Sequence, residues 1–314
     1  MANYLCSSRC RHCAYFCSPE WTNDYVDEES ARRILRAVRS AGCLWVHIGG
    51  GEPFLGGEKL VRLIRICGEE GVGVEYVETN SSWFTTPERA DRMLGALLDA
   101  GLRTLLVSMS PFHNEYIPWR KVEGVLASCR RVGMGVFPWT EELARDVRAL
   151  DPSRTHSLDE YEAKFGPGYL QSIPGRYWVS PRGRALATFR PFAPARPAGR
   201  VAEEAGDSCP ELLDTSHFHV DLYGNYVPGI CTGLAVDLDD LARPLDREKY
   251  RYLTGLMDGG IARLLELASE EGYEPAREFA GKCDLCYDIR HHLVRERAVT
   301  APDLKPVELY ERME

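Results

Sequence analysis

Three cysteines near the amino terminus are spaced so that their thiolates can meet at one metal centre. Cys6, Cys10 and Cys13 form a Cys-x₃-Cys-x₂-Cys loop directly after a predicted first strand at residues 3–5. Three thiolates leave one iron of a four-iron cubane without a protein ligand. Zinc is the alternative, but structural zinc sites usually take four tetrahedral ligands. The loop therefore favours an iron–sulfur cluster with one open coordination position.

The strands predicted after this loop end in residues suited to a small ligand. One strand ends in a Gly-Gly-Glu-Pro turn that contains Gly50, Gly51 and Glu52. Glycine lets the backbone approach a ligand closely, and a carboxylate complements an ammonium group. The next two strands end in the polar residues Asn80 and Ser108. Capping of the following helix explains either polar residue equally well.

The cysteine loop at the first predicted strand and the Gly-Gly-Glu-Pro turn at the second resemble the radical S-adenosylmethionine (SAM) superfamily. The resemblance implies that Cys6, Cys10 and Cys13 hold a [4Fe–4S] cluster whose open iron chelates the amino and carboxylate groups of SAM. In that family, electron transfer from the reduced cluster cleaves SAM to a 5′-deoxyadenosyl radical. The protein positions this radical and excludes competing reactions.

The same resemblance implies the residues that contact SAM. Gly50, Gly51 and Glu52 take the place of the family residues that bind the SAM amino group. Ser108 is placed to contact the ribose or carboxylate of SAM, and Asn80 is a further candidate contact.

Further polar side chains follow the later strands, and active sites of βα folds lie at the carboxyl ends of the strands. Ser110 stands where the family often has an aspartate, so no acid is expected at that position. A histidine and a carboxylate such as His113 and Glu115 can act as acid or base on substrate. Trp139 and Arg184 are expected near the same mouth. Ordinary loop positions explain all of these residues equally well.

Apolar strand patterns and amphipathic helical patterns alternate through the first part of the chain, with a period of about 30 residues. Six strands, from residues 3–5 to residues 177–180, with no hairpin signal between them, imply an α/β fold with a parallel sheet, open or partly closed. The resemblance selects a partial (β/α)6 TIM-like barrel over residues 1–190. A proline-rich stretch predicts a linker at residues 191–208.

Four more cysteines lie beyond the linker. Cys209, Cys231, Cys283 and Cys286 flank a predicted β-hairpin and helix, which together predict a smaller α+β domain over residues 209–295 with a tail at 296–314. They resemble the twitch domain, a shortened SPASM extension that holds an auxiliary [4Fe–4S] cluster. A four-cysteine zinc site is the alternative. Four protein ligands would close the cluster, which suits it to electron transfer.

Composition restricts the possible partners and location. The 314 residues carry a formal charge of −9, which argues against a nucleic-acid or anionic membrane surface. We find neither an apolar run long enough to span a membrane nor a signal peptide. Cys67 and Cys129 fall on apolar helical stripes and are expected to behave as small hydrophobic residues. With neither a membrane span nor a signal peptide, we expect a cytoplasmic location, where thiols stay reduced.

The resemblance thus predicts an enzyme that cleaves SAM reductively and abstracts hydrogen from a small-molecule or peptide substrate, with a flavodoxin- or ferredoxin-type electron donor. An auxiliary cluster that accepts an electron favours oxidation or cross-linking. One alternative is a ribosomal-peptide maturase of the same superfamily, which we expect less because only five residues precede Cys6. The other is a non-catalytic zinc or iron–sulfur binding protein, which gives no reason for the Gly-Gly-Glu-Pro turn.

Overall fold

The structure is a computed structural model that describes residues 1–139, 141–241 and 243–313. The side chains at positions 138 and 141 are not described, and the Trp139 indole also lies outside the described residues. Within the described part of the chain, no helix is both long enough and apolar enough to cross a membrane.

Two compact units make up the chain. The first comprises Met1–Cys10 and Cys17–Val179, and the second comprises Arg11–Phe16 and Ser180–Glu314. The second unit therefore includes residues 180–190, which the sequence analysis places in the first domain, and part of the cysteine loop.

A parallel sheet organises the first unit. Its strands are β1 (Trp45–Ile48), β2 (Gly73–Thr79), β3 (Thr104–Ser108) and β4 (Gly135–Trp139), and they lie side by side in that order. All three pairings are parallel, so the carboxyl ends of the strands share one edge of the sheet. The four central strands of the predicted series are thus confirmed.

Amphipathic helices connect these strands, as the apolar periodicity predicts. In the helix Glu58–Glu69, Leu60, Ile64 and Cys67 lie on the buried face. Burial raises the pKa of Cys67 to about 12, which fits a small hydrophobic residue. The helices of the described part of this unit are α1 (Glu28–Ser40), α2 (Glu58–Glu69), α3 (Pro87–Asp99), α4 (Pro111–Asn114), α5 (Trp119–Val132), α6 (Glu141–Arg148), α7 (Leu158–Phe165) and α8 (Tyr169–Arg176).

In the part of the chain that the structure describes, the first and last strands predicted for the barrel are not regular strands, so the described parallel sheet has four strands where six were expected for a partial (β/α)6 barrel. Residues 3–5 form one isolated bridge, between Leu5 and Ser18, and no regular strand, because the cysteine loop begins at the next residue. Residues 177–180 follow α8 as irregular backbone. Trp178 in that segment is 59% exposed, so the segment lacks the burial that stabilises a core strand.

The second unit combines a small antiparallel sheet with helices. The predicted hairpin is present, because β5 (His219–Val220) pairs antiparallel with β6 (Asn225–Val227). A third strand, β7 (Val236–Asp237), pairs with β6. The helices described here are α9 (Arg184–Phe189), α10 (Ala198–Ala205), α11 (Pro210–Leu213), α12 (Arg251–Glu270), α13 (Lys282–Arg295) and α14 (Val307–Tyr310).

The stretch predicted as a linker contributes to the core of this unit. Helix α10 lies within residues 191–208 and buries Ala198, Val201 and Ala202 against α12 and α13. Small apolar residues spaced three and four apart form one face of a helix, and that pattern was obscured by the neighbouring prolines.

Candidate active site

The glycine turn after β1 supports the chain segment that leads into the cysteine loop. A Cβ on Gly50 would lie 2.5 Å from the Asn3 carbonyl oxygen, and one on Gly51 would lie 2.0 Å from the Leu5 carbonyl oxygen. The same carbonyls accept hydrogen bonds from the Gly51 and Glu52 amides, at 2.9 and 3.0 Å. Both glycines are thus required for close backbone packing, whatever else they contact.

Two of the three loop cysteines lie in the first unit and are buried there. Cys6 and Cys10 are each 7% exposed. The Asn80 side-chain amide donates a hydrogen bond to the Cys6 sulfur at 3.4 Å and to the Ser7 hydroxyl at 3.1 Å. The structure therefore places Asn80 directly against a predicted cluster ligand. An N–H group facing a thiolate sulfur stabilises its negative charge.

Glu52 holds Asn80 in place. Its buried carboxylate accepts hydrogen bonds from the Asn80 backbone amide at 2.7 Å, the Thr79 hydroxyl at 2.9 Å and the Phe54 backbone amide at 3.2 Å. Burial raises the pKa of Glu52 from 4.5 to about 7, against the opposing effect of these hydrogen bonds. The carboxylate thus links the end of β1 to the end of β2.

Cys13 belongs to the segment of the loop that packs in the second unit. Its carbonyl oxygen accepts a hydrogen bond from the Arg184 amide at 3.0 Å. The next carbonyl, of Ala14, accepts one from the Thr232 hydroxyl at 2.7 Å. A Cβ on Gly183 would lie 2.4 Å from the Cys13 oxygen, and its φ of +57° also favours glycine. Arg184, expected near the mouth of the fold, thus fixes the backbone at Cys13.

The four late cysteines line one cavity of the second unit. Its lining includes Cys209, Cys231, Cys283 and Cys286. The structure therefore brings together all four residues that the sequence analysis grouped, although they are separated by up to 77 positions in the chain, from 209 to 286.

Burial favours the protonated form of three thiols of this cavity. Burial raises the pKa of Cys283 to about 12 and also raises that of Cys209 and Cys231. The Cys209 thiol donates a hydrogen bond to Glu211 at 3.3 Å, and Glu211 pairs with Lys282 at 2.7 Å. Ligation of a metal would release these protons, because thiolate is the form that binds.

Ser108 and its neighbours lie at the end of β3. Ser108 is partly buried, while Ser110 is buried and its hydroxyl lies 2.7 Å from His113 Nδ1. Desolvation lowers the pKa of His113 to about 4. The imidazole is therefore neutral near pH 7 and suits a base better than an acid. Glu115, in the turn after α4, is partly buried.

A histidine–glutamate pair near the ends of β1 and β2 was missed by the sequence analysis. His47 Nε2 lies 3.8 Å from Glu78 Oε1, and the His47 ring stacks on Tyr76 with 5.1 Å between ring centroids. Tyr76 in turn stacks on Phe137, which is 44% exposed. Polar and aromatic residues at alternate strand positions were the available signal, since they share one face of the sheet.

Comparisons with known proteins agree with the loop and turn. Residues 3–155 match the model of a family described as the Radical SAM superfamily. No curated protein matches the chain. One similar solved structure is Streptococcus suis SuiB bound to S-adenosylmethionine, with 12% identity over 79% of this chain and 66% of that chain, at a TM-score of 0.35. Another is native anSMEcpe with bound AdoMet, with 16% identity over 99% of this chain and 93% of that chain, at a TM-score of 0.41.

The family match begins just before the cysteine loop and includes the glycine turn, Glu52, Asn80 and Ser108. Among these residues, hydrogen bonds connect Glu52 to Asn80 and Asn80 to Cys6. Residues 3–155 of this chain therefore match the radical SAM domain in sequence.

Proposed function

We propose that this protein is a radical SAM enzyme that cleaves SAM reductively and abstracts a hydrogen atom from a small-molecule or peptide substrate. The observation that carries the proposal is the family match over residues 3–155, with Cys6, Cys10 and Cys13 at its start. When bound, a [4Fe–4S] cluster and SAM would supply the electron and the 5′-deoxyadenosyl radical. A flavodoxin- or ferredoxin-type protein in the cytoplasm is the electron donor we propose.

The residues around the loop would have distinct roles toward these groups. Asn80 would stabilise the Cys6 thiolate through its N–H group, because the amide already faces that sulfur at 3.4 Å. Glu52 would position Asn80, since its carboxylate is buried and accepts three protein hydrogen bonds. The backbone of Gly50 and Gly51 remains the proposed contact for the SAM amino group, and Ser108 remains a proposed contact for SAM.

We further propose that Cys209, Cys231, Cys283 and Cys286 hold an auxiliary [4Fe–4S] cluster. Four thiolates on one zinc ion lie about 3.8 Å apart, given Zn–S bonds of about 2.3 Å. In the described part of the chain, no three of these sulfurs lie within 4.8 Å of one another. This wider spacing around one cavity supports a cluster over a single zinc ion.

A closed auxiliary cluster favours oxidation or cross-linking of the substrate. Loss of a hydrogen atom turns the substrate into a radical. This radical forms a stable oxidised product once it gives up one more electron and a proton. The second unit would offer an acceptor for that electron. Glu78 and His47, which face each other at 3.8 Å near the strand ends, are candidate acceptors for the proton.

Anaerobic reconstitution with iron and sulfide tests the proposal. We expect about eight irons per chain and, with dithionite, conversion of SAM to 5′-deoxyadenosine and methionine. Iron counts and liquid chromatography measure the two results. Bound zinc without SAM cleavage would instead support a non-catalytic metal-binding protein and overturn the proposal. The Cys43→Ala variant is a matched control, because Cys43 is a partly buried cysteine outside both sets.

A further inference from the structure

Two arginine side chains are buried at the four-cysteine cavity without a carboxylate to balance their charge. Arg182 and Arg290 both line the cavity, and they are 8% and 1% exposed. In the part of the chain that the structure describes, neither guanidinium pairs with an acidic side chain. A buried cation of this kind is costly unless an anion lies nearby.

The partners of Arg290 are neutral groups. Its Nη1 donates hydrogen bonds to the Thr232 carbonyl at 2.9 Å and toward the Tyr310 hydroxyl at 3.4 Å, and its Nε donates to the Cys286 carbonyl at 3.3 Å. The guanidinium also lies over the Tyr287 ring at 4.3 Å. These contacts fix its orientation while leaving its positive charge uncompensated.

Arg182 is held with less hydrogen bonding. Its Nη1 donates to the Ser180 hydroxyl at 3.1 Å, and the cation lies close enough to Cys231 to interact with it electrostatically. Its Nε is buried and makes no hydrogen bond in the structure. A donor left without a partner beside a cysteine is what a site built for an anionic group would present.

Other cations near these cysteines are neutralised by acids. Lys282 lines the same cavity but pairs with Glu211 at 2.7 Å. Arg277 pairs with Asp284 and with Asp288, each at 2.9 Å. Arg182 and Arg290 thus differ from Lys282 and Arg277, which have acidic partners.

We propose that Arg182 and Arg290 are counter-ions for the auxiliary [4Fe–4S] cluster and raise its reduction potential, so that it accepts electrons. The inference rests on the proposed function, in which the four cysteines hold that cluster. A cluster with four thiolate ligands is anionic, and reduction adds one more negative charge. Fixed positive charges in a buried site favour the reduced form, because net charge and hydrogen bonds to sulfur set the potential.

Redox titration followed by electron paramagnetic resonance (EPR) tests this assignment in the full chain with both clusters. SAM addition identifies the signal of the loop cluster, and the signal that does not respond belongs to the auxiliary cluster. We expect Arg182→Gln and Arg290→Gln each to move the auxiliary midpoint to more negative potential. Arg182→Lys and Arg290→Lys should restore most of the shift, because they keep the charge.

Arg263→Gln is the matched control. Arg263 is an exposed arginine of the same unit that pairs with Glu266 and does not line the cavity, so its loss should leave the auxiliary midpoint unchanged. Unchanged midpoints in both Gln variants, at full iron content, would overturn the inference. If the Arg290→Gln variant does not assemble the cluster, the midpoint potential of the Arg182→Gln variant alone decides whether the inference stands.

The outcome also separates this inference from the proposed function. If the unsubstituted chain binds iron only at the amino-terminal loop, the auxiliary cluster itself is refuted and the arginine assignment falls with it. If the auxiliary signal is present and its midpoint potential is unchanged when either arginine loses its charge, only the counter-ion role is refuted.

Discussion

The two sets of cysteines differ in how the chain assembles them and in what surrounds them. Cys6, Cys10 and Cys13 are close in sequence, and Cys6 faces a neutral amide donor, Asn80. The late set spans residues 209–286 and meets only after the second unit folds. A local loop of three ligands leaves room for a molecule at the metal. A closed set of four among buried cations suits the storage or transfer of an electron.

This difference explains why the two sets allow different chemistry. An open iron must bind and release SAM, so its surroundings supply polar backbone and side-chain groups. A fully ligated cluster exchanges only electrons, so its reduction potential is the property that the protein can adjust. In our proposal, Glu52 and Asn80 serve the first purpose, and Arg182 and Arg290 serve the second.

The largest expected effect separates the two sets completely. Replacing Cys6, Cys10 and Cys13 together by alanine should abolish SAM cleavage and remove about half of the iron, since the other set keeps its ligands. Iron analysis and 5′-deoxyadenosine production measure both effects. SAM cleavage that survives in this variant would refute the site assignment.

The reciprocal change should have a different result. The Cys283→Ala/Cys286→Ala double variant should also lose about half of the iron, but it should retain measurable SAM cleavage at the loop. The signal that remains in EPR should be the one that responds to SAM. If cleavage disappears as completely as in the loop variant, the two sets do not form separate centres.

Replacing Glu52 tests how the first set is supported. Its pKa is higher in the folded protein, about 7, than its ordinary 4.5, so the folded state binds the proton more tightly. The contribution of Glu52 to the unfolding free energy therefore falls as pH rises from 4.5 to 7, by about 3 kcal/mol, and levels off above that range.

The Glu52→Gln variant cannot titrate, so its stability relative to the unsubstituted protein should improve between pH 5 and pH 8. Chemical denaturation of the cluster-free proteins at both pH values measures this difference. Glu58→Gln, at an exposed glutamate on α2, is the control and should show no such trend. A constant difference between Glu52→Gln and the unsubstituted protein would contradict the proposed burial effect.

Sequence reasoning found the parts of the molecule that depend on local pattern. The four central strands and the hairpin follow from alternation and turn residues, and the four late cysteines that the sequence grouped do line one cavity. The prediction of regular strands at 3–5 and 177–180 was wrong, because a sequence pattern alone does not show whether a neighbouring strand pairs with a segment. The contact between the Asn80 side chain and the Cys6 sulfur depends on the Glu52 carboxylate, which links the ends of two strands. Residue spacing in the sequence cannot show such a contact.

The smallest expected effect concerns one hydroxyl that connects both sets of cysteines within the second unit. Thr232 follows Cys231, and its hydroxyl donates to the carbonyl of Ala14, the residue after Cys13. The same oxygen lies 2.6 Å from the Tyr287 hydroxyl, which can donate to it. The chain beside one predicted ligand of each set is thus held through a single buried side chain.

Thr232→Val keeps the shape of the side chain but leaves the Ala14 carbonyl and the Tyr287 hydroxyl without this partner, at a cost of about 1 kcal/mol. We expect altered EPR line shapes for both clusters and a modest loss of SAM cleavage, because the backbone at Cys13 is less firmly fixed. Thr232→Ser restores the hydroxyl and should restore both spectra. A change confined to the auxiliary signal would show that the hydroxyl supports only the late cysteines, and that the loop at Cys13 is positioned by the Arg184 amide and Gly183 alone.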